Sequence, residues 1–295
     1  MSSLLVKTSP TVSVNIVTYN RRDLLKRALR SVLDQTFSDF EIVIIDDGST
    51  DGTDDLLRTA GDPRILSVRV DHCGSLGRLR NLALASSGGR YVALLDSDDS
   101  WAPQKLETQT DFMIANALGF SATGTQTMED HRPATDQGFV CADAPSRYAW
   151  ISRLMMNWTI YPSSIMFARE SAIAIGRFQE DFVSAGDADF ILRLIRSYPS
   201  GNLGTPLLLR ATHDDQHSSR HAVPAYHEML TIALRCRNEG ILSPQSYRRA
   251  TSTILYRLAG ELEKKQDRKA SRQAYRECLR ANPLHWRAGV RWILS

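Results

Sequence analysis

Four groups of side chains in this 295-residue sequence have the types and spacing to do chemistry. Asp96 and Asp98 stand one residue apart at the end of the apolar run 91–95. Two carboxylates so placed can share a hard divalent cation, magnesium or manganese, which takes oxygen ligands and keeps water and substrate phosphates in its shell. A diphosphate departing from such a site has its growing charge neutralised. The competing reading is a polar turn ahead of a helix following Trp101-Ala102-Pro103. An isolated Asp-x-Asp does not decide between the two; the apolar strand in front of it tips the balance towards a ligand site.

Asp46-Asp47-Gly48 ends a second apolar run, 40–45. A carboxylate there could accept a hydrogen bond from a base N–H or a ribose hydroxyl, and Gly48 allows a turn of positive φ with close approach of a ligand. An Asp/Gly turn capping the next helix is the plainer alternative. Arg80, ahead of the 91–95 strand, could face a nucleotide or a phosphate, although for a helix arginine an exposed charge is the commoner outcome. Asp187 and Asp189 open a helix after Ser184-Ala185-Gly186. The helix dipole favours carboxylates there in any case, and the same position suits a general base that takes a proton from an attacking hydroxyl. His213, His217 and His221 recur every four residues beside Asp214 and Asp215. They lack the intervening acid of a zinc-protease helix, so a polar loop is the commoner explanation, with one histidine free to complete a metal site in space.

These residues need elements to hold them. Runs 12–18, 40–45, 65–70 and 91–95 are short and β-rich, and they alternate with helical periodicity over about 24–35, from Thr53 through Leu57, and around 80–85. Thr53 is the candidate cap of the second helix. Alternating strands and helices predict an α/β fold with a mainly parallel sheet flanked by helices, in which ligands bind beyond the carboxyl ends of the strands. Both aspartate clusters fall at such ends. Residues 138–145 read as loop and 187–197 as a helix. After about residue 221 the pattern is helical throughout, over 225–237, 246–264, 268–279 and 284–294. The expected organisation is a tail (1–10), a main domain (11–220, with halves 11–103 and 104–220) and a C-terminal helical subdomain (221–295).

Bulk properties narrow the class. A composition of 42% hydrophobic and 23% charged residues suits a globular protein, and a net charge of +3 gives no electrostatic case for nucleic acid. No signal peptide and no apolar run long enough to span a membrane are evident, which predicts a cytoplasmic protein. Cys73, Cys141, Cys236 and Cys278 are scattered, so reduced thiols are expected rather than a disulfide framework or a zinc site.

Taken in order, several motifs resemble family 2 inverting glycosyltransferases. Val12-Ser13-Val14-Asn15-Ile16-Val17-Thr18-Tyr19-Asn20-Arg21 is similar to the opening strand and turn of that family. Ser31-Val32-Leu33-Asp34-Gln35-Thr36-Phe37, the run from Phe40 to Asp51, Arg80-Asn81 and Leu95-Asp96-Ser97-Asp98-Asp99 continue the match. A fainter likeness runs through Pro162-Ser163-Ser164 and Gly186-Asp187-Ala188-Asp189-Phe190. The resemblance implies a GT-A type of α/β fold and a nucleotide-sugar donor, usually a UDP-sugar. It implies that Val17, Tyr19, Asp47 and Arg80, with Asp96 and Ser97, contact the donor. Asp98 would be the main ligand of a manganese or magnesium ion, with Asp96 beside it and His213 near the diphosphate. Asp187 matches the family's catalytic base. The usual motif there is Glu-Asp, and Gly186-Asp187 lacks the first acid while keeping the proposed base. The acceptor, a glycan, a polysaccharide or a lipid-linked glycan, is expected near 158–163 and the tail.

Trp286, Val290 and Ile293 lie near one helical face, with Arg287 and Arg291 elsewhere. Such a helix could sit on an anionic membrane surface, placing the protein peripherally at the inner face; packing on the catalytic domain is the preferred reading. Two other classes compete. A non-catalytic nucleotide-sugar-binding scaffold has only Gly186 in its favour. A nucleotidyltransferase would show a glycine-rich phosphate loop after the first strand, which Tyr19-Asn20-Arg21-Arg22 lacks.

Overall fold

The computed structural model describes residues 9–127, 133–134, 138–211 and 221–294. By internal contacts these fall into two compact units that interleave along the chain. One comprises the described residues of Met1–Val140, Ile160–Phe178 and Ser197–Thr212; the other, those of Cys141–Thr159, Gln179–Arg196 and His213–Ser295.

The first unit is built on one sheet. Its strands are β1 (Val12–Thr18), β2 (Phe40–Asp46), β3 (Ile65–Arg69), β4 (Tyr91–Asp96), β5 (Ser100–Trp101), β6 (Phe120–Thr127), β7 (Pro133–Ala134), β8 (Phe139–Cys141), β9 (Ile165–Ala168) and β10 (Ser200–Arg210). The order is β3-β2-β1-β4-β9-β6-β10-β5, with β7 beside β6 and β8 beside β10. β3, β2, β1 and β4 are mutually parallel, β9 runs against both β4 and β6, and β10 returns parallel to β6. The mainly parallel α/β sheet flanked by helices is therefore as the sequence predicts.

Helices α1 (Arg22–Leu33), α2 (Thr53–Ala60), α3 (Leu76–Ser86), α4 (Lys105–Ala115) and α6 (Arg169–Ala174) belong to this unit; α5 and α7 are given below. β1 is buried on both sides, which is why it reads as a nearly continuous apolar run. Val12, Val14 and Ile16 pack with Leu25, Ala28, Leu29 and Val32 of α1, whereas Val43 and Ile45 of β2 pack with Leu79 and Ala83 of α3, Val17 joining them. Gly89, just before β4, is fixed by close approach: a Cβ there would lie 2.6 Å from the backbone nitrogen of Ser13.

Register aligns the business ends. Thr18 sits opposite Asp46 and Val17 opposite Asp96, so β2, β1 and β4 finish level. Asp46 and Asp96 are thus two strand spacings apart, roughly 10 Å. Two local expectations change. Thr53 is the first residue of α2 rather than its cap: the cap position is Gly52 at φ 86°, and the Thr53 hydroxyl donates to Asp51 Oδ1 at 2.6 Å. Within 138–145, read as loop, β8 forms and the next helix already begins at Ala144.

The second unit is helical: α5 (Ala144–Met156), α7 (Gly186–Ser197), α8 (Ala222–Asn238), α9 (Pro244–Lys264), α10 (Arg268–Ala281) and α11 (Trp286–Leu294). Asp143, Ser243 and Asp267 cap α5, α9 and α10 by accepting the amide three residues on. Its core is Leu255, Leu258 and Ala259 of α9 against Ala274, Tyr275 and Cys278 of α10 and Ala288 of α11. The four cysteines are free thiols, Cys73 exposed and the others buried.

Candidate active site

At the end of β2, Asp46 and Asp47 are both buried and do different work. Asp46 Oδ1 accepts from Ser49 N at 3.0 Å, and its Oδ2 is a buried oxygen without a hydrogen-bond partner. Asp47 faces the loop after β3. Its Oδ1 accepts from Cys73 N at 2.9 Å, its Oδ2 from Gly74 N at 3.0 Å, and His72 Nδ1 lies 2.8 Å from Oδ2. The two amides take two of roughly four acceptor positions on the carboxylate, and His72 Nδ1 is also 3.1 Å from the Asp47 carbonyl oxygen, so the carboxylate keeps capacity for a further donor. His72 also stacks on Tyr19, ring centroids 4.0 Å apart and 16° from parallel. Tyr19 is 42% exposed, so this stack presents an aromatic face to solvent beside a buried carboxylate.

Asn20 makes that turn possible. At φ 50° it occupies the left-handed region, which asparagine tolerates better than most residues. It stitches the end of β1 to the end of β2: its N–H donates to Ser49 Oγ at 2.9 Å, and its Oδ1 accepts from Thr50 N at 2.7 Å.

At the end of β4 three carboxylates meet three arginines, two at carboxylate oxygens and one at a backbone carbonyl. Arg80, on α3, is 5% exposed and donates to Asp96 Oδ1 at 3.2 Å. The exposed helix charge suggested by local sequence gives way to burial, because α3 lies on the sheet and turns Arg80 towards the β4 end. Its neighbour Asn81 clamps the backbone of Phe178 in both directions, at 3.0 and 2.9 Å. Arg21 donates to Asp98 Oδ2 at 2.9 Å, and Arg27 to the Asp98 carbonyl at 2.9 Å. Asp99 turns inward. Ser163 Oγ donates to its Oδ2 at 2.6 Å while accepting from Asp96 N at 3.0 Å, and Ala211 N donates to Asp99 Oδ1 at 3.1 Å. Burial, reinforced by the nearby charge of Asp96, pushes the Asp99 carboxyl up to about 7, against the pull of the Ser163 hydrogen bond. Ser97 is buried between these acids in sequence.

This donor set suits a hard cation. Asp96 and Asp98 offer oxygen only, at the end of one strand. Among the described residues no group of three or more acidic, histidine or cysteine side chains forms a cage. The pair fits the magnesium or manganese pattern of one or two carboxylates completed by phosphate and water. His213, expected near this ion, lies outside the described residues, as does His217.

In the second unit, Asp187 is half-buried in the first turn of α7. Asp189 is fully buried and paired: Arg193 Nε donates to Oδ2 at 2.7 Å, and Arg235 of α8 donates to Oδ1. Its role is structural, joining α7 to α8. The segment leading into α7 is held by Glu228 of α8, whose carboxylate accepts from Val183 N at 2.7 Å, Ser184 N at 3.0 Å and Ala185 N at 2.7 Å.

Arg21, His72, Asp99, Ser163 and Glu228, to none of which the sequence assigns an individual role, contact the candidate residues or the segment leading to Asp187. Arg21 had a signal, a basic residue directly after the first strand. The others become visible only when separate segments meet. Ser163, placed in the expected acceptor region, is instead buried and spent on Asp96 and Asp99.

Comparison with known proteins bears on this geometry. The family model described as Glycosyl transferase family 2 matches residues 13–166, just over half of the chain. The putative teichuronic acid biosynthesis glycosyltransferase TuaG of Bacillus subtilis is 45% identical over 121 residues, 40% of this chain and 48% of that protein. The UDP-Glc:alpha-D-GlcNAc-diphosphoundecaprenol beta-1,3-glucosyltransferase WfaP of Escherichia coli is 40% identical over 110 residues, 37% of this chain and 44% of that one. The matches thus span about half the length of these relatives. Among solved structures, residues 1–349 of S. aureus TarS with UDP-GlcNAc superpose with a TM-score of 0.72 at 19% identity, covering 92% of this chain and 81% of that one. The Pyrobaculum calidifontis mannosyltransferase PcManGT with GDP-Man and Mn2+ gives 0.61 at 18% identity, covering 98% and 82%. At such identities these two likenesses concern the fold.

Proposed function

Since the chain belongs to glycosyl transferase family 2, we propose that it moves a sugar from a nucleotide-sugar donor to an acceptor hydroxyl, with inversion at the anomeric carbon. The observation that carries the reading is the grouping at the level ends of β1, β2 and β4. An exposed Tyr19 ring and the Asp47 carboxylate stand at one end, and Asp96 and Asp98 paired with Arg80 and Arg21 at the other. A nucleoside diphosphate has the matching layout, an aromatic base that stacks and accepts or donates hydrogen bonds, then a dianionic diphosphate.

In this reading Tyr19 supports the base, with Val17 lining the strand end beneath it. Asp47 uses its remaining acceptor position for a base N–H or a ribose hydroxyl. Arg80 and Arg21 hold the diphosphate by charge-assisted hydrogen bonds. Asp98 and Asp96 hold a manganese or magnesium ion, which when bound neutralises charge on the leaving diphosphate. Ser97 lies between them against the donor. Asp187 takes the proton of the acceptor hydroxyl, whose oxygen forms the new bond to the anomeric carbon as the bond to the diphosphate breaks on the opposite face. WfaP acts with UDP-glucose and a diphosphoundecaprenol-linked acceptor, and TarS binds UDP-GlcNAc. A UDP-sugar and a lipid-linked glycan or polysaccharide acceptor are therefore the proposed substrates.

The test has two arms. Asp187→Asn is expected to lower transfer by about 10²–10⁴-fold while UDP binding, measured by calorimetry with manganese, stays within about twofold of wild type. Normal turnover in that variant sinks the base assignment. Asp98→Ala is expected to lose the manganese-dependent part of UDP binding and to keep the manganese-independent part. If the unaltered chain releases no UDP from UDP-sugars even slowly, with or without acceptor, it is a binding scaffold and not a transferase.

A further inference from the structure

α11 carries two apolar faces, and the fold uses one of them. Ala288 is fully buried in the core formed with α9 and α10, and Trp292 packs half-buried against the same cluster. At 100° per residue, Trp286, Val290 and Ile293 fall together on a different side, at i, i+4 and i+7. That side is open: Trp286 is 70% exposed and Ile293 73%, with Val290 exposed beside them. Leu284, in the turn before the helix, is 88% exposed. The face that sequence patterning assigns to packing is thus the one left to solvent, because Ala288 lets α11 approach α10 closely on its other side. A contiguous group of this kind is uncommon on a soluble surface without a partner, whereas single exposed apolar residues are ordinary.

The charge around it says which partner. From Lys265 to Ser295 there are eight lysines and arginines and two acids, in a chain whose net charge is only +3. Arg268, Lys269, Arg272, Arg276 and Arg280 of α10 are exposed, as are Arg287 and Arg291 of α11, although Arg291 also pairs with Glu263 of α9 at 2.9 Å. Arg287 lies over the Trp286 ring at 5.3 Å, so a guanidinium borders the apolar stripe directly. Of the two acids, Asp267 is spent capping α10. A second copy of this chain would bring like charge against like charge. An anionic bilayer answers both features: the indole and aliphatic side chains enter the headgroup and acyl boundary, and the arginines remain among lipid phosphates.

We propose that α11 docks flat on an anionic lipid bilayer through Leu284, Trp286, Val290 and Ile293, with the basic residues of α10 and α11 supplying the electrostatic attraction. This surface stands apart from the transferase reading and does not depend on it. Co-sedimentation of the full chain with phosphatidylcholine vesicles, with and without phosphatidylglycerol, tests it. Binding is expected only to vesicles containing phosphatidylglycerol, and it should weaken as sodium chloride is raised. Trp286→Ala combined with Ile293→Ala should lower the partition coefficient by about tenfold or more with an unchanged thermal melt, since both side chains are exposed. Arg287→Ala combined with Arg291→Ala should lower it less and remove part of the salt dependence. Equal binding to neutral vesicles, no binding to either, or binding indifferent to both double substitutions overturns the proposal. So does a dimer in analytical ultracentrifugation that the apolar double substitution abolishes, which would assign the face to a second copy.

Discussion

Lys105 carries an ionisable group where the fold gives it least support. It is fully buried, its Nζ has no hydrogen-bond partner, and it lies 3.7 Å from the centre of the Trp101 ring. As the first residue of α4 it also sits at the positive end of a helix dipole. A desolvated cation over an indole gains about 2 kcal/mol or more, against a larger cost of several kcal/mol for desolvating an ammonium, so desolvation wins. Burial accordingly holds the Lys105 ammonium well below its ordinary 10.5. Between that lowered value and 10.5 the unfolded chain binds more protons than the folded one, so stability rises with pH across the window. Lys105→Met keeps the shape and removes the ionisation. It should raise stability at pH 7 by on the order of 2 kcal/mol, with the gap to wild type closing as pH approaches 10. Denaturant melts at several pH values measure this, and a variant less stable than wild type at pH 7 would mean that the Trp101 contact outweighs desolvation. At the same scale, Asp96 and Asp98 were legible because strand ends are readable and two acids one residue apart are distinctive. His72 was not. A lone histidine three residues beyond a strand has no spacing signal, and only the approach of that loop to Asp47 and Tyr19 gives it a role.

Elements were more legible than the contacts that hold them. The apolar runs of β1, β2 and β4 stand out because both faces of a parallel sheet are covered, and α1 and α9 because their apolar residues recur every three to four positions. The entry to α7 shows what escaped. Glu228 lies more than forty residues away in sequence and grips three successive amides, those of 183–185, two residues before Asp187. No pattern local to α7 encodes that. Three hydrogen bonds to a charged acceptor fix the position of the first turn, and with it the proposed base. Glu228→Gln retains one acceptor oxygen in place of two. It should cost about 1.5–3 kcal/mol and speed hydrogen exchange at 183–185 selectively. If the reading of Asp187 holds, transfer falls while UDP affinity with manganese stays unchanged. Unaltered exchange at those amides would show that the helix entry is held by other means.

At the scale of the whole molecule the chain does not divide where its composition changes. The switch from mixed to all-helical patterning near residue 221 invites a cut there. Contacts group 141–159 and 179–196 with the C-terminal helices instead. Linear sequence hides this because α5 and α7 lie between segments of the sheet unit while their partners come later. The buried Asp189 makes the consequence sharp. Its carboxylate is fully enclosed and shared by Arg193, on its own helix, and Arg235 of α8. Ending the chain at residue 220 removes Arg235 and Glu228 together. It strips one partner from a buried charge, a change that costs about 3–5 kcal/mol where the charge stays enclosed, and it releases the entry to α7. The remaining sheet unit keeps its own core of Val14, Ile16, Ile42, Ile44, Leu25 and Leu29. A fragment of residues 1–220 should therefore retain protected strands while 141–159 and 179–196 become the first sites of limited proteolysis, and the full chain should be cut at neither. On the proposed function, UDP binding should persist in the fragment, because Tyr19, Asp47, Arg80 and Asp98 all belong to the sheet unit, whereas transfer should be lost with the ordering of Asp187. A 1–220 fragment that resists protease across both stretches and melts like the full chain would show that α5 and α7 are held without the C-terminal helices.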